Sequence, residues 1–127
     1  MNREFLSLII PTYNGQANLK VLYPNLTRVL AGEDYELIFI NDGSTDHTKD
    51  YLGELAGNDS RIRVINFPEN RGQYLSFITG LSEAKGDILI SIDDDWEKES
   101  FFIPKFIEKI RAGYDIVFSW RRGRKRL

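Results

Sequence analysis

The residues Ile88-Leu89-Ile90-Ser91-Ile92 run straight into three consecutive aspartates, Asp93, Asp94 and Asp95. The apolar run lacks polar alternation and is bounded by Gly86-Asp87, so it reads as a strand covered on both faces. Three adjacent carboxylates repel one another, and an apolar strand offers them no counter-charge. A divalent cation resolves this, because a hard ion neutralises two carboxylates together with the phosphates of a ligand. A solvated acidic turn is the competing reading. Position favours the cation: ligands of open α/β sheets sit beyond the carboxyl ends of the strands.

The elements that must carry this triad alternate along the chain. Phe5 to Ile10 reads as a strand ended by Pro11, and Gln16 to Leu30 as a helix with Leu19, Leu22, Leu26, Val29 and Leu30 on one face. Pro24 falls inside that helix and predicts a kink or two short helices. Tyr35 to Ile40 is a second buried strand. Thr45 and Asp46 cap a helix to about Ala56, with His47 in its first turn. Ile62 to Phe67 alternates more and belongs nearer an edge, and Gln73 to Ala84 is helical with Gly86 as its C′ residue. Phe101 to Ala112 places Phe102, Phe106, Ile107 and Ile110 on one stripe, and Asp115 to Trp120 is a fifth strand. The fold class expected is therefore α/β, a Rossmann-like, mostly parallel sheet of about five strands flanked by helices.

In a parallel sheet all carboxyl ends share one rim. Pro11-Thr12-Tyr13, Asn41-Asp42-Gly43, Asn70-Arg71-Gly72, Asp93-Asp94-Asp95 and Arg121 then meet. Tyr13 offers a flat face for a base, and Asp42 offers acceptors for a base edge or a ribose. Gly72 lets backbone approach a ligand. Asp93 suits a ribose hydroxyl and Asp95 a metal. Singly, each has a structural reading: Tyr13 as packing, Asp42 and Asn70 as turn formers, Gly72 as turn punctuation. No G-x-x-x-x-G-K-S/T occurs and no G-x-G-x-x-G follows the first strand, so a cation must do more of the phosphate binding.

Composition bounds these readings. The 127 residues make one domain, residues 1–120, with a basic tail at 121–127. There are no cysteines, which excludes disulfides and thiolate metal sites. No apolar run approaches the ~20 residues that cross a bilayer, and no leader-like run precedes Phe5, so a cytoplasmic location is expected. Without Arg121, Arg122, Arg124, Lys125 and Arg126, 12 basic residues face 19 acidic ones. A basic tail on an acidic body indicates a local anionic partner such as a membrane surface, and not nucleic acid. A solvated terminus is the competing reading.

Leu8-Ile9-Ile10-Pro11-Thr12-Tyr13-Asn14, Phe39 through Asp46, and Asn70-Arg71-Gly72 with Gly80 resemble the N-terminal motifs of glycosyltransferase family 2, the inverting GT-A fold. Asp93-Asp94-Asp95 resembles its D-x-D element. Ile103-Pro104-Lys105, Gly113 through Phe118 and Arg121 are similar to the polyprenyl-phosphate sugar transferases, the branch of dolichyl-phosphate mannose synthase. The resemblance implies that Pro11, Tyr13, Asn14 and Asp42 lie around the base, with Arg71 and Gly72 near it. It implies that Asp93 and Asp94 face ribose and diphosphate, that Asp95 with Asp93 binds Mg²⁺ or Mn²⁺, and that Asp95 and Arg121 serve catalysis, Arg121 on a phosphate. The donor implied is a nucleoside-diphosphate sugar, and the acceptor a lipid phosphate or a glycan at the cytoplasmic membrane face.

Two positions depart from the branch: Gly15 stands where an acidic residue is common, and Glu97-Lys98-Glu99-Ser100 replaces Q-D-P-P. The family's domain continues past Leu127, so the chain is expected to be either a donor-binding half or a fragment of a longer membrane-associated protein, with a free sheet edge that favours a homodimer. A nucleotide-binding module without turnover is the alternative. A phospho-acceptor signalling domain ranks last, because it wants a lysine where Trp120-Arg121 stands.

Overall fold

A computed structural model describes residues 4–115 and Val117. Its strands are β1 (Leu6–Thr12), β2 (Tyr35–Asn41), β3 (Ile62–Asn66) and β4 (Ile88–Ser91). They form one parallel sheet in the order β3-β2-β1-β4. The helices are α1 (Gln16–Val29), α2 (Thr48–Asn58), α3 (Gln73–Glu83) and α4 (Ile103–Arg111), with a 3₁₀ turn over Glu99–Phe102. Among the described residues there are four strands where about five are expected. The fifth, Asp115 to Trp120, lies largely outside the described residues, as do Arg121 and the basic tail.

Period-two alternation divides the sheet's side chains between two layers. Leu6, Leu8, Ile10, Leu37 and Phe39 pack with Leu19, Leu22 and Leu26 of α1, Leu52 of α2, and Ile103 and Ile107 of α4. Ile9, Ile38 and Ile40 form the other layer, with Leu81 and Ala84 packed against them. Here α3 comes close: a Cβ on Gly80 would lie 2.3 Å from Ile9 Cγ2.

Several expectations are corrected. Strand β1 continues through Pro11 to Thr12. Ile9 accepts the Ile92 N–H on the β4 side and Thr12 accepts the Asp42 N–H on the β2 side, so Pro11 faces β4. Lacking an N–H, it cannot extend the β1–β4 ladder, and the acidic loop leaves the sheet at that point. Helix α1 is one continuous helix with Pro24 inside, because buried Leu19, Leu22 and Leu26 hold both halves to the sheet. Gly86 is not a C′ residue. Its backbone lies so close to Ser7 that a Cβ would meet Ser7 Oγ at 2.6 Å and the Phe5 carbonyl oxygen at 2.7 Å. Phe102 is exposed, and α4 is buried through Ile103 and Ile107.

Nor is β4 covered on both faces. Ile88 and Ile90 are buried, but Leu89 is 48% exposed, and among the described residues β4 is an edge strand. A hollow of about 450 Å³ lies against it, lined by Leu89, Trp96, Phe106 and Ile110 among others. No helix among the described residues is long and apolar enough to cross a membrane.

Candidate active site

The four parallel strands deliver their carboxyl ends to one rim, where hydrogen bonds made by side chains tie the following loops together. Asn14 is the first tie. It takes a left-handed backbone, φ 49°, which asparagine tolerates. Its N–H donates to Ser44 Oγ at 2.9 Å, and its Oδ1 accepts the N–H groups of Thr45 at 2.8 Å and Asp46 at 3.3 Å. Asp46 Oδ1 in turn accepts the Thr48 N–H at 2.9 Å, an Asx turn just ahead of α2, whose N-cap position is His47 with no side-chain cap bond. Asn41 Nδ2 donates to Asn66 Oδ1 at 2.9 Å, joining the ends of β2 and β3.

Asp42 is the second tie and is 4% exposed. Its two carboxylate oxygens accept the Arg71 N–H at 2.6 Å and the Gly72 N–H at 2.9 Å. The anion thus sits on the loop that begins α3 at Gln73. Gly43, at φ +70°, makes this approach possible, since a Cβ there would lie 2.2 Å from the Glu69 carbonyl carbon. Replacing Asp42 by alanine removes the side-chain acceptor of both N–H groups, at about 1–3 kcal/mol for the two bonds. Hydrogen exchange of the Arg71 and Gly72 amides should accelerate in Asp42→Ala while the β1 amides stay protected.

The third tie joins the acidic loop to the first turn. Asp94 Oδ2 accepts Thr12 Oγ1–H at 2.7 Å, and Oδ1 accepts from Asn18 Nδ2 at 3.4 Å. Burial pushes the Asp94 carboxyl above its ordinary value, opposed by the Thr12 and Asn18 hydrogen bonds and reinforced by neighbouring Asp95 and Asp93. The departure at Gly15 now has a physical account: a Cβ at that position would lie 2.2 Å from Asp94 Oδ2. The loop is closed on itself by the Trp96 N–H on the Asp93 carbonyl and the Glu97 N–H on the Asp95 carbonyl.

These ties enclose a cavity of about 210 Å³ lined by Pro11, Thr12, Tyr13, Asp42, Gln73, Asp93, Asp94 and Asp95. Tyr13 is 48% exposed. Asp93 and Asp95 are exposed. Of the residues expected from sequence, Pro11, Tyr13, Asp42, Asp93, Asp94 and Asp95 meet here. Asn14, Arg71 and Gly72 do not line the cavity. Asn14 and Gly72 serve the loop ties, and the Arg71 guanidinium lies 5.4 Å from the Phe67 ring centroid. Gln73 was missed, because a glutamine opening a helix after a glycine carries no signal of its own. Arg121 lies outside the described residues.

Among the described residues no group of three or more histidine, cysteine, aspartate or glutamate side chains converges to hold a metal. Two accessible carboxylates beside a rim cavity nonetheless fit a hard cation of the Mg²⁺ type, which takes few protein oxygens and fills its shell with phosphate oxygens and water. Asp93 and Asp95 would hold it.

The parallel α/β sheet with an acidic loop at its rim is of the Rossmann-like kind found in the GT-A glycosyltransferases. The chain belongs to glycosyl transferase family 2, whose model matches residues 7–126. It is 34% identical over 128 residues to the undecaprenyl-phosphate 4-deoxy-4-formamido-L-arabinose transferase of Edwardsiella ictaluri, covering 96% of this chain and 38% of that protein. To the dolichol-phosphate mannosyltransferase of Pyrococcus furiosus it is 35% identical over 116 residues, covering 91% and 33%. The chain thus spans about a third of the length of these relatives. Among solved structures, glucosyl-3-phosphoglycerate synthase of Mycobacterium tuberculosis in complex with UDP is similar at TM-score 0.75 and 26% identity, covering 95% of this chain and 46% of that one. The same enzyme has also been solved with Mn²⁺, UDP and glucosyl-3-phosphoglycerate.

Proposed function

We propose that this chain is the donor-binding part of an inverting glycosyltransferase that moves a sugar from a nucleoside diphosphate to a polyprenyl phosphate. The observation that carries this is the cavity in which Tyr13, Asp42 and the three aspartates share one rim. A planar face, hydrogen-bond acceptors and carboxylates for a cation are what base, ribose and diphosphate each require. The relatives named for polyprenyl-phosphate acceptors support the acceptor class.

Tyr13 stacks on the base, and Asp42 holds the loop of Arg71 and Gly72 so that Gln73 faces the cavity. Asp93 takes a ribose hydroxyl and, with Asp95, the cation. When bound, a divalent ion supplies neutralisation of the charge that grows on the departing diphosphate. Inversion follows from a single displacement: an acceptor oxygen bonds to the anomeric carbon from one side while the bond to diphosphate breaks on the other. A lipid phosphate brings an oxygen already anionic, so no general base is needed. Arg121 and the basic residues after it hold that phosphate at an anionic membrane surface, where each adds about 1 kcal/mol.

Titration calorimetry with UDP and GDP, with and without Mn²⁺, tests the core of this. One nucleotide is expected to bind in Mn²⁺, and EDTA to remove the heat. Absence of metal-dependent binding by any nucleoside diphosphate defeats the proposal. A nucleotide-binding module without turnover is the second reading. Binding without transfer to a polyprenyl phosphate selects it.

A further inference from the structure

We propose that Thr12, Asn18 and the bare Gly15 form a clamp on Asp94, and that this clamp positions Asp93 and Asp95 for the cation. The inference rests on reading the cavity as the donor site. It makes Asp94 a positioning residue, and gives the end of β1, the loop after it and α1 one residue each with a role in cation binding without touching the ion.

Adjacent carboxylates repel, and an unanchored run of three would spread its side chains and backbone over many arrangements. In this chain the central one is taken out of the contest. Asp94 is half-buried, and its oxygens turn back on Thr12 Oγ1 at 2.7 Å and Asn18 Nδ2 at 3.4 Å. Thr12 is itself 3% exposed at the end of central strand β1, so the anchor is a rigid one. Gly15 completes the seat by what it lacks. Its φ is an ordinary −105°, so backbone freedom does not explain it. Space does: a Cβ there would lie 2.2 Å from Asp94 Oδ2 and 2.3 Å from Thr12 Oγ1. With the middle residue fixed and the turn closed by the Trp96 and Glu97 N–H groups, Asp93 and Asp95 are left exposed along the cavity. Groups that orient metal ligands commonly set affinity as strongly as a weak ligand does.

The test compares Thr12→Val, Thr12→Ser, Gly15→Ala and Asn18→Ala with the wild type. Two quantities are read: Mn²⁺ affinity in saturating UDP or GDP by electron paramagnetic resonance, and backbone order of residues 93–96 by ¹⁵N relaxation. Thr12→Val and Gly15→Ala should weaken Mn²⁺ about tenfold or more and loosen the loop. Thr12→Ser should restore both, since it keeps the hydroxyl. Asn18 is exposed, so Asn18→Ala folds whatever happens to the others, and it should give the same changes more weakly. A merely structural threonine would lower the melting temperature without changing Mn²⁺ affinity of the folded protein. An unchanged loop in Thr12→Val and Asn18→Ala overturns the clamp, as does a loosened loop that binds Mn²⁺ as tightly as the wild type. Failure of the wild type to bind any Mn²⁺ nucleotide overturns the donor-site reading instead, and a loop that still loosens in the variants then leaves the clamp as a loop anchor only.

Discussion

Asp95→Ala is expected to abolish Mn²⁺-dependent nucleotide binding, a loss beyond about a hundredfold in calorimetry with UDP or GDP. Residues that merely orient a metal ligand cost about 10–100-fold when removed, so loss of a direct ligand should exceed that range. The carboxylate is exposed at the end of the acidic loop, and its removal leaves no buried group without a partner. Melting should therefore stay within about ±0.5 kcal/mol of the wild type, which separates a binding defect from misfolding. Asp93→Ala provides the contrast. Asp93 is expected to share its work between ribose and cation, so its loss should weaken binding with Mn²⁺ and also the residual binding without it. If Asp95→Ala binds Mn²⁺ nucleotide like the wild type, the cation is held elsewhere and the catalytic role given to Asp95 falls with it.

The sheet was legible because its strands are short apolar runs separated by helical periodicity, a pattern with few alternatives. The rim followed from parallel topology alone. What escaped depends on contacts between distant residues. Pro24 breaks a helix in isolation, but the burial of Leu19, Leu22 and Leu26 outweighs one lost backbone bond. The apolar letters of Ile88 to Ile92 read the same at an edge as in the centre, and Leu89 shows that neighbours decide exposure. Gly15 was visible only as a departure from a pattern; its reason needed the Asp94 carboxylate, 79 residues on, in three dimensions. Asn14 stood in the right motif, but its side chain is spent on the Thr45 and Asp46 N–H groups. A motif marks where loops converge without saying which members face the ligand.

At the opposite end of the sheet, Arg63→Met should destabilise the fold by about 3 kcal/mol and change its response to acid. Glu36 is 4% exposed on β2, under the end of α3. It accepts Ser7 Oγ–H at 2.7 Å, the Lys85 N–H at 2.8 Å and Arg63 Nη1 at 3.0 Å, while Arg63 also reaches the Glu83 carbonyl at 2.7 Å. Burial pushes the Glu36 carboxyl up, but the Ser7, Lys85 and Arg63 bonds outweigh it and hold the group below its ordinary value. A carboxyl depressed in the folded state contributes stability above its unfolded value of about 4.3, and that contribution disappears as pH falls through the folded value. Removing Arg63 leaves the anion buried with neutral donors only, at the low end of the about 3–5 kcal/mol typical of a broken buried pair because Arg63 is partly exposed. Glu36→Gln in the Arg63→Met background should recover part of the loss, since no uncompensated charge remains. Urea titrations between pH 3 and 7 on both single variants and the double variant measure the coupling. The wild type should lose stability below about pH 4 more steeply than Glu36→Gln. Parallel curves for the two would mean that Glu36 is not the group whose protonation loosens this end of the sheet.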